Sequence, residues 1–227
     1  FPALAEQLPA QTRRWLAAVG FQGAADTHVL IPDEQGCLAQ VVAGISHVGD
    51  PYALSALPMA LPAGSYALSG DGLVPDPALA VLSWHMGAYG FDRYKPRRRQ
   101  PAELCLATSA SAQRGQIVAQ AIVLARDLIN TPAEHMGPEE LAEATETLAR
   151  QHGARVRQVV GDQLLKKNFP AIHAVGRASA RAPRLIEMSW GKSSHPRLSI
   201  VGKGVCFDSG GLDIKGAEGM RLMKKDM

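Results

Sequence analysis

Residues 198–227, LSIVGKGVCFDSGGLDIKGAEGMRLMKKDM, contain most of the chemistry that this chain displays. The apolar run from Leu198 to Val201 predicts a buried strand, and the glycines after it predict a turn in which charged side chains crowd together. Those charged side chains are Lys203, Asp208, Lys215 and Asp226. Because charges at the end of a buried strand are costly unless they are paired or hold a cation, the stretch predicts a polar site.

Two interpretations of this cluster remain open on the residues alone. The carboxylates of Asp208 and Asp226 suit Mg²⁺, Mn²⁺ or Zn²⁺, and Lys203 can join them if burial beside metal charge removes its proton. Alternatively, the two aspartates pair with Lys203 and Lys215 in a structural ion-pair network. The four residues by themselves favour neither interpretation.

Other catalytic motifs are excluded or weaker. A phosphate-binding loop has glycine at position 197 and serine or threonine at position 204, where this chain has Arg197 and Gly204. His135 and His173 lack the spacing of a His-Glu-x-x-His zinc site and are interpreted as loop or core histidines. Cys206 has no base near it in sequence and is interpreted as a small buried apolar residue.

The spacing of the whole stretch resembles the motif of the leucine aminopeptidase (cytosol aminopeptidase) family of two-metal peptidases. The matching segments are Val201 to Val205, Phe207 to Gly211, Ile214-Lys215 and Met223 to Met227. The resemblance implies that Lys203 and Asp226 bind one metal ion and that Asp208 bridges both ions. It also implies that Lys215 is the catalytic lysine and that Met223, together with the metal ligands, binds the substrate.

Several expectations about function follow from this resemblance. It implies an aminopeptidase that uses two divalent ions to release Leu-like N-terminal residues from peptides. The ions expected are Mn²⁺ or Zn²⁺, with Mg²⁺ as a further alternative. The resemblance further implies a homohexamer of the cytoplasm. A second cluster of Asp, Glu and Arg is expected beyond Met227, so residues 1–227 alone are expected to be inactive. An inactive structural member of the same family is the alternative.

Composition supports a folded chain. Of the 227 residues, 46% are hydrophobic, which suffices for a packed core. The richest apolar stretch is interrupted by Arg126, so no membrane span is predicted. Cys37, Cys105 and Cys206 are far apart in sequence and odd in number, which favours a reducing cytoplasm. The first residue, Phe1, and the abrupt end favour a partial chain.

A basic block, Arg97 to Arg99, raises the alternative of a DNA-binding accessory protein. The net charge is only +3, and a block this short is more typical of a solvated loop. A nucleic-acid partner is therefore not favoured.

The pattern of helices and strands predicts an α/β protein. Residues 1–108 are predicted to form a small N-terminal α/β domain, and residues 109–227 a connecting helix and the start of a mixed-sheet catalytic domain. Helices are predicted at 13–19, 77–89, 113–129 and 138–153, and strands at 27–31, 37–45, 66–68, 102–107, 156–160, 185–190 and 198–201.

Overall fold

A computed structural model of the chain describes residues 8–70 and 73–227. In this part of the chain the helices are α1 (Ala10–Ala18), α2 (Leu57–Ala60), α3 (Pro77–Ala88), α4 (Ala110–Asn130), α5 (Pro138–His152), α6 (Gln163–Lys166), α7 (Pro170–Gly176) and α8 (Ala217–Arg221). The strands are β1 (His28–Pro32), β2 (Leu38–Ala43), β3 (Ser65–Ala67), β4 (Glu103–Cys105), β5 (Arg155–Val160) and β6 (Arg184–Ser189). A short 3-10 helix, Met223–Asp226, is the last element described.

The chain divides into two compact units, Phe1–Leu124 and Ala125–Met227. The dividing point lies within the sequence of α4. The domain boundary predicted at residue 108 stays a prediction. Within the described residues, no helix is both long and apolar enough to span a membrane.

The first unit has its core around Trp84 of α3. Trp84 is 3% exposed, its Nε1 donates to the carbonyl oxygen of Ala102 at 2.8 Å, and its ring centroid lies 6.5 Å from that of Tyr66. Because the indole N–H has an acceptor, the ring can be buried at little cost. The surrounding buried residues are Leu54, Leu57, Leu61, Ala80 and Ala102. The parallel pair β3–β4 lies beside this core.

The start of the first unit is an antiparallel hairpin of β1 and β2 covered by α1. The register pairs His28 with Ala43 and shifts between Ile31 and Pro32, because proline has no N–H for the ladder. The buried residues of this second cluster are Leu16, Phe21, Ile31 and Val42.

The second unit packs α5 on the antiparallel pair β5–β6. Proline fits the first position of a helix, so α5 begins at Pro138. The helix ends at His152 because Gly153 has φ of 65°, the left-handed conformation typical of a helix C-terminus. The pairing of β5 with β6 runs without a break from Arg155 opposite Ser189 to Val160 opposite Arg184.

The prediction of a strand from Leu198 to Val201 is wrong. Residues 196–205, all of them described, have no helix or strand, and Leu198, Ile200 and Val201 are 84%, 88% and 95% exposed. An apolar run becomes a strand only where another strand supplies hydrogen-bond partners. In the described part of the chain, no strand pairs with residues 198–201. The described strands form three two-stranded sheets.

Candidate active site

Asp208 and Lys215, both singled out by the sequence, form an ion pair. The Nζ of Lys215 lies 2.7 Å from Oδ2 of Asp208, and each side chain is 30% exposed. The backbone N–H of Gly210 donates to Oδ1 of Asp208 at 2.9 Å. The hydrogen bond from Lys215, followed by that from Gly210, holds the pKa of Asp208 below its usual value, and the charge of Lys203 lowers this pKa further. Asp208 is thus a carboxylate at neutral pH.

The loop that carries this pair depends on Gly210. Its φ is 101°, in the region that favours glycine, and a Cβ at this position would lie 2.2 Å from the carbonyl oxygen of Asp213. The loop closes through a hydrogen bond of 2.9 Å from the backbone N–H of Lys215 to the carbonyl oxygen of Ser209. Glycine is therefore required at position 210 for two reasons: the backbone has a positive φ, and the loop has no space for a side chain.

Met223 approaches Asp208 from the 3-10 helix. The backbone N–H of Asp208 donates to Sδ of Met223 at 3.2 Å. Asp226 ends the same helix, and its side chain lies outside the described residues. The structure thus brings Asp208, Lys215 and Met223 together, while Lys203 is exposed and acts on Asp208 through its charge.

The chemistry of Asp208 fits a divalent ion. Each carboxylate oxygen accepts one of the two hydrogen bonds described above and keeps a further lone pair for a cation. The described residues contain no group of three or more His, Cys, Asp or Glu that could hold a metal ion. The proposed ligand Lys203 is an amine and does not belong to these four residue types. The metal-binding roles of Lys203, Asp208 and Asp226 stay predictions.

Two family models match this chain over most of its length. The catalytic-domain model of the cytosol aminopeptidase family matches residues 123–227, and the N-terminal-domain model of the M17 aminopeptidases matches residues 2–107. The chain belongs to the cytosol aminopeptidase family. The resemblance seen in the motif and the predicted α/β fold class are both confirmed.

Individual relatives in the cytosol aminopeptidase family support this assignment. A probable cytosol aminopeptidase of Rhodococcus jostii is 32% identical over 238 residues, which include 93% of this chain and 47% of that protein. A crystal structure of the cytosol aminopeptidase from Coxiella burnetii is 42% identical with a TM-score of 0.89, covering 100% of this chain and 50% of that one. The chain thus spans about half the length of the curated relatives it matches.

A second similar structure holds a metal. The bottromycin maturation enzyme BotP, solved in complex with Mn, is 30% identical to this chain. Its TM-score is 0.74, and the match covers 93% of this chain and 48% of BotP.

Lys224 is a residue of this region that sequence reasoning missed. It is 8% exposed, and its Nζ donates to the carbonyl oxygens of Leu128, at 3.2 Å, and of Thr131. Burial lowers the pKa of Lys224. Met220, Lys224 and Met227 recur at helical spacing, and both methionines are partly buried. This position of Lys224 on an apolar face is the sequence signal that could have predicted its burial.

Cys206 lies beside this region and is buried, as predicted. Its side chain is 7% exposed, and Sγ donates to the carbonyl oxygen of Gly204 at 3.5 Å. Burial raises the pKa of the thiol, so the neutral form that suits an apolar environment is favoured.

The basic block in the first unit has a structural role. Arg97 donates to the carbonyl oxygens of Ala88, at 2.9 Å, and of Gly90, at 2.8 Å, and so caps the end of α3. Arg99 donates to the carbonyl oxygen of Met59 in α2 at 2.9 Å. Two of the three arginines thus bind backbone carbonyls of the first unit, and the alternative of nucleic-acid binding stays a prediction.

Proposed function

We propose that the whole protein is a metal-dependent aminopeptidase that removes Leu-like residues from the N-termini of peptides. The observation that supports this most is the Asp208–Lys215 pair, at 2.7 Å, in a motif of the cytosol aminopeptidase family. The proposed ligands are Lys203, Asp208 and Asp226, with Asp208 bridging two ions. Mn²⁺ or Zn²⁺ is proposed ahead of Mg²⁺, and the relative solved with Mn supports manganese.

Lys215 is the proposed catalytic lysine. Two divalent ions, when bound, would lower the pKa of a water molecule and polarise the scissile carbonyl. The ammonium group of Lys215 supplies positive charge where negative charge develops on that carbonyl oxygen. The ammonium group is held by Asp208, and the backbone N–H of Lys215 donates to the carbonyl oxygen of Ser209, so little reorganisation is needed at the moment of reaction.

Met223 is the proposed contact for the first side chain of the substrate. It is partly buried, and its sulfur lies against the backbone of Asp208, next to the proposed metal ligand. A flexible thioether adapts to Leu-like and Met-like side chains. Recognition of the free α-amino group beside the metal ligands would restrict cleavage to the N-terminus of a peptide.

Assembly and location belong to the same proposal. A homohexamer in the cytoplasm is proposed on the strength of family membership. Sedimentation of the whole protein tests the assembly, because six copies and one copy differ widely in mass.

Hydrolysis of leucine p-nitroanilide by the whole protein, supplied with Mn²⁺ or Zn²⁺, tests the activity. Changing Lys215→Ala is expected to lower kcat by about 10² to 10³, the range for loss of one group that stabilises a developing oxyanion. Changing the exposed Lys225→Ala is the matched control and is expected to leave kcat unchanged. Equal rates in the wild type and the Lys215→Ala variant would overturn the proposal.

A further inference from the structure

Lys224 is a buried cation whose partners are the end of another helix. Its acceptors, the carbonyl oxygens of Leu128 and Thr131, lie at the C-terminal end of α4 (Ala110–Asn130). The contacts join residues that are 96 and 93 positions apart in the sequence. The ammonium group is thus a long-range connection within the second unit.

The physical reason for this connection is the set of carbonyl groups left over at a helix C-terminus. The last turn of a helix has carbonyl oxygens without an intrahelical partner and carries partial negative charge. An ammonium group placed there satisfies these oxygens and is itself stabilised despite its burial. An apolar side chain at position 224 would leave the oxygens of Leu128 and Thr131 without this donor.

Lys224 is also one of the residues of the 3-10 helix that approaches the active-site loop. The preceding residue, Met223, accepts a hydrogen bond from the backbone N–H of Asp208, and the helix ends at Asp226. The 3-10 helix is therefore fixed to α4 through Lys224 and touches the Asp208 loop through Met223. The next residue, Lys225, is exposed and has neither of these contacts among the described residues.

We propose that Lys224 is a positioning residue that fixes the 3-10 helix on the end of α4 and so sets the place of Met223 and Asp226 relative to Asp208. The anchoring of the 3-10 helix by Lys224 is a property of the fold alone. The effect of this anchor on metal binding rests on the proposed function.

Amide hydrogen exchange in the whole protein tests the anchor, with Lys224→Met compared with Lys225→Met. The reporters are the amides of Lys225 and Met227, which donate to Leu222 and Lys224 within the 3-10 helix, and the amide of Asp208. In Lys224→Met they are expected to exchange at least about tenfold faster than in Lys225→Met, after correction for intrinsic rates. The Lys224→Arg variant, which keeps hydrogen-bond donors, is expected to recover part of the protection.

The amides of β5 and β6 separate an anchor from a general loss of stability. They are expected to keep wild-type rates in Lys224→Met. If they exchange faster to the same degree as the reporters, or if Lys224→Met matches Lys225→Met at the reporters, the proposal is overturned.

Mn²⁺ binding by the whole protein, measured from the electron paramagnetic resonance signal of the free ion, tests the consequence for the site. Lys224→Met is expected to raise the Kd about tenfold, as loss of a group that orients metal ligands does, and Lys225→Met is expected to leave it unchanged. Equal Kd values in the two variants would overturn the positioning role. If the wild type binds no Mn²⁺, the manganese form of the proposed function fails, and the exchange rates still decide whether Lys224 is an anchor.

Discussion

Asp208 is held before any ligand arrives, because a backbone N–H and an ammonium group each occupy one of its oxygens. The geometry of the pair depends on the turn from Asp208 to Lys215, in which Gly210 has a positive φ and no room for a side chain. Gly210, which has no side chain, therefore determines the relative positions of Asp208 and Lys215.

A series of glycine substitutions in the whole protein tests this dependence. Gly210→Ala is expected to lower both activity on leucine p-nitroanilide and the thermal midpoint, because it adds backbone strain of about 1–3 kcal/mol and a clash with Asp213. Gly211→Ala, with φ of 80° but open space, is expected to have a smaller effect. Gly216→Ala, with an ordinary φ and open space, is the control. Equal losses in Gly210→Ala and Gly216→Ala would contradict the prediction.

At the scale of elements, the start of α3 is joined to the start of α4 in the first unit. Asp76 caps α3 by accepting from the backbone N–H of Ala78 at 2.9 Å, and its Oδ1 also accepts from the hydroxyl of Ser111 at 2.6 Å. Gly115 of α4 packs so close that a Cβ would lie 2.4 Å from the carbonyl oxygen of Ala78. The carboxylate of Asp76 thus accepts hydrogen bonds from residues of both α3 and α4.

This junction predicts a pH dependence of stability. The hydrogen bond from Ser111, followed by that from Ala78, lowers the pKa of Asp76 in the folded state. The charged carboxylate therefore stabilises the fold fully above its unfolded-state pKa of about 4, and the stabilisation is lost as pH falls through the lower folded-state value. The difference in thermal midpoint between wild type and Asp76→Asn is expected to shrink from pH 6 to pH 3.

The hydroxyl of Ser111 supplies the control for this prediction. Ser111→Ala removes the largest cause of the lowered pKa of Asp76 and is expected to weaken the pH dependence. A constant gap between wild type and Asp76→Asn across that pH range would contradict the assignment.

At the scale of the whole molecule, metal binding is expected to stabilise the fold. The proposed ligands lie in two separate segments, the loop around Asp208 and the 3-10 helix that ends at Asp226, so the unfolded chain has no preformed site. Mn²⁺ at 100 times its Kd is expected to add about 2.7 kcal/mol of stability by mass action. A chelator is expected to reverse the gain.

Thermal denaturation of the whole protein, with and without Mn²⁺, measures this effect. The rise in midpoint is expected to disappear in Asp208→Asn and to remain in Asp213→Asn, a change of an exposed aspartate in the same loop. A rise of equal size in both variants would place the metal elsewhere.

Local signals account for what the sequence predicted well. The helices α3 and α5 begin at prolines, and α5 ends before a glycine, so their limits depend on neighbours within a few residues. The pairing of Asp208 with Lys215 spans seven residues within one glycine-rich turn. Such features need no knowledge of distant parts of the chain, and their positions were predicted to within a few residues.

By itself, the sequence determined the family and the α/β class and predicted the charged residues of the candidate site, because these depend on residue type and spacing. Only the tertiary structure decided that Leu198 to Val201 is not a strand, that Arg97 and Arg99 bind backbone carbonyls, and that Lys224 is buried. The physical reason is the same in each case. A strand needs a partner strand and a buried charge needs acceptors, and for Lys224 those acceptors lie more than 90 residues away.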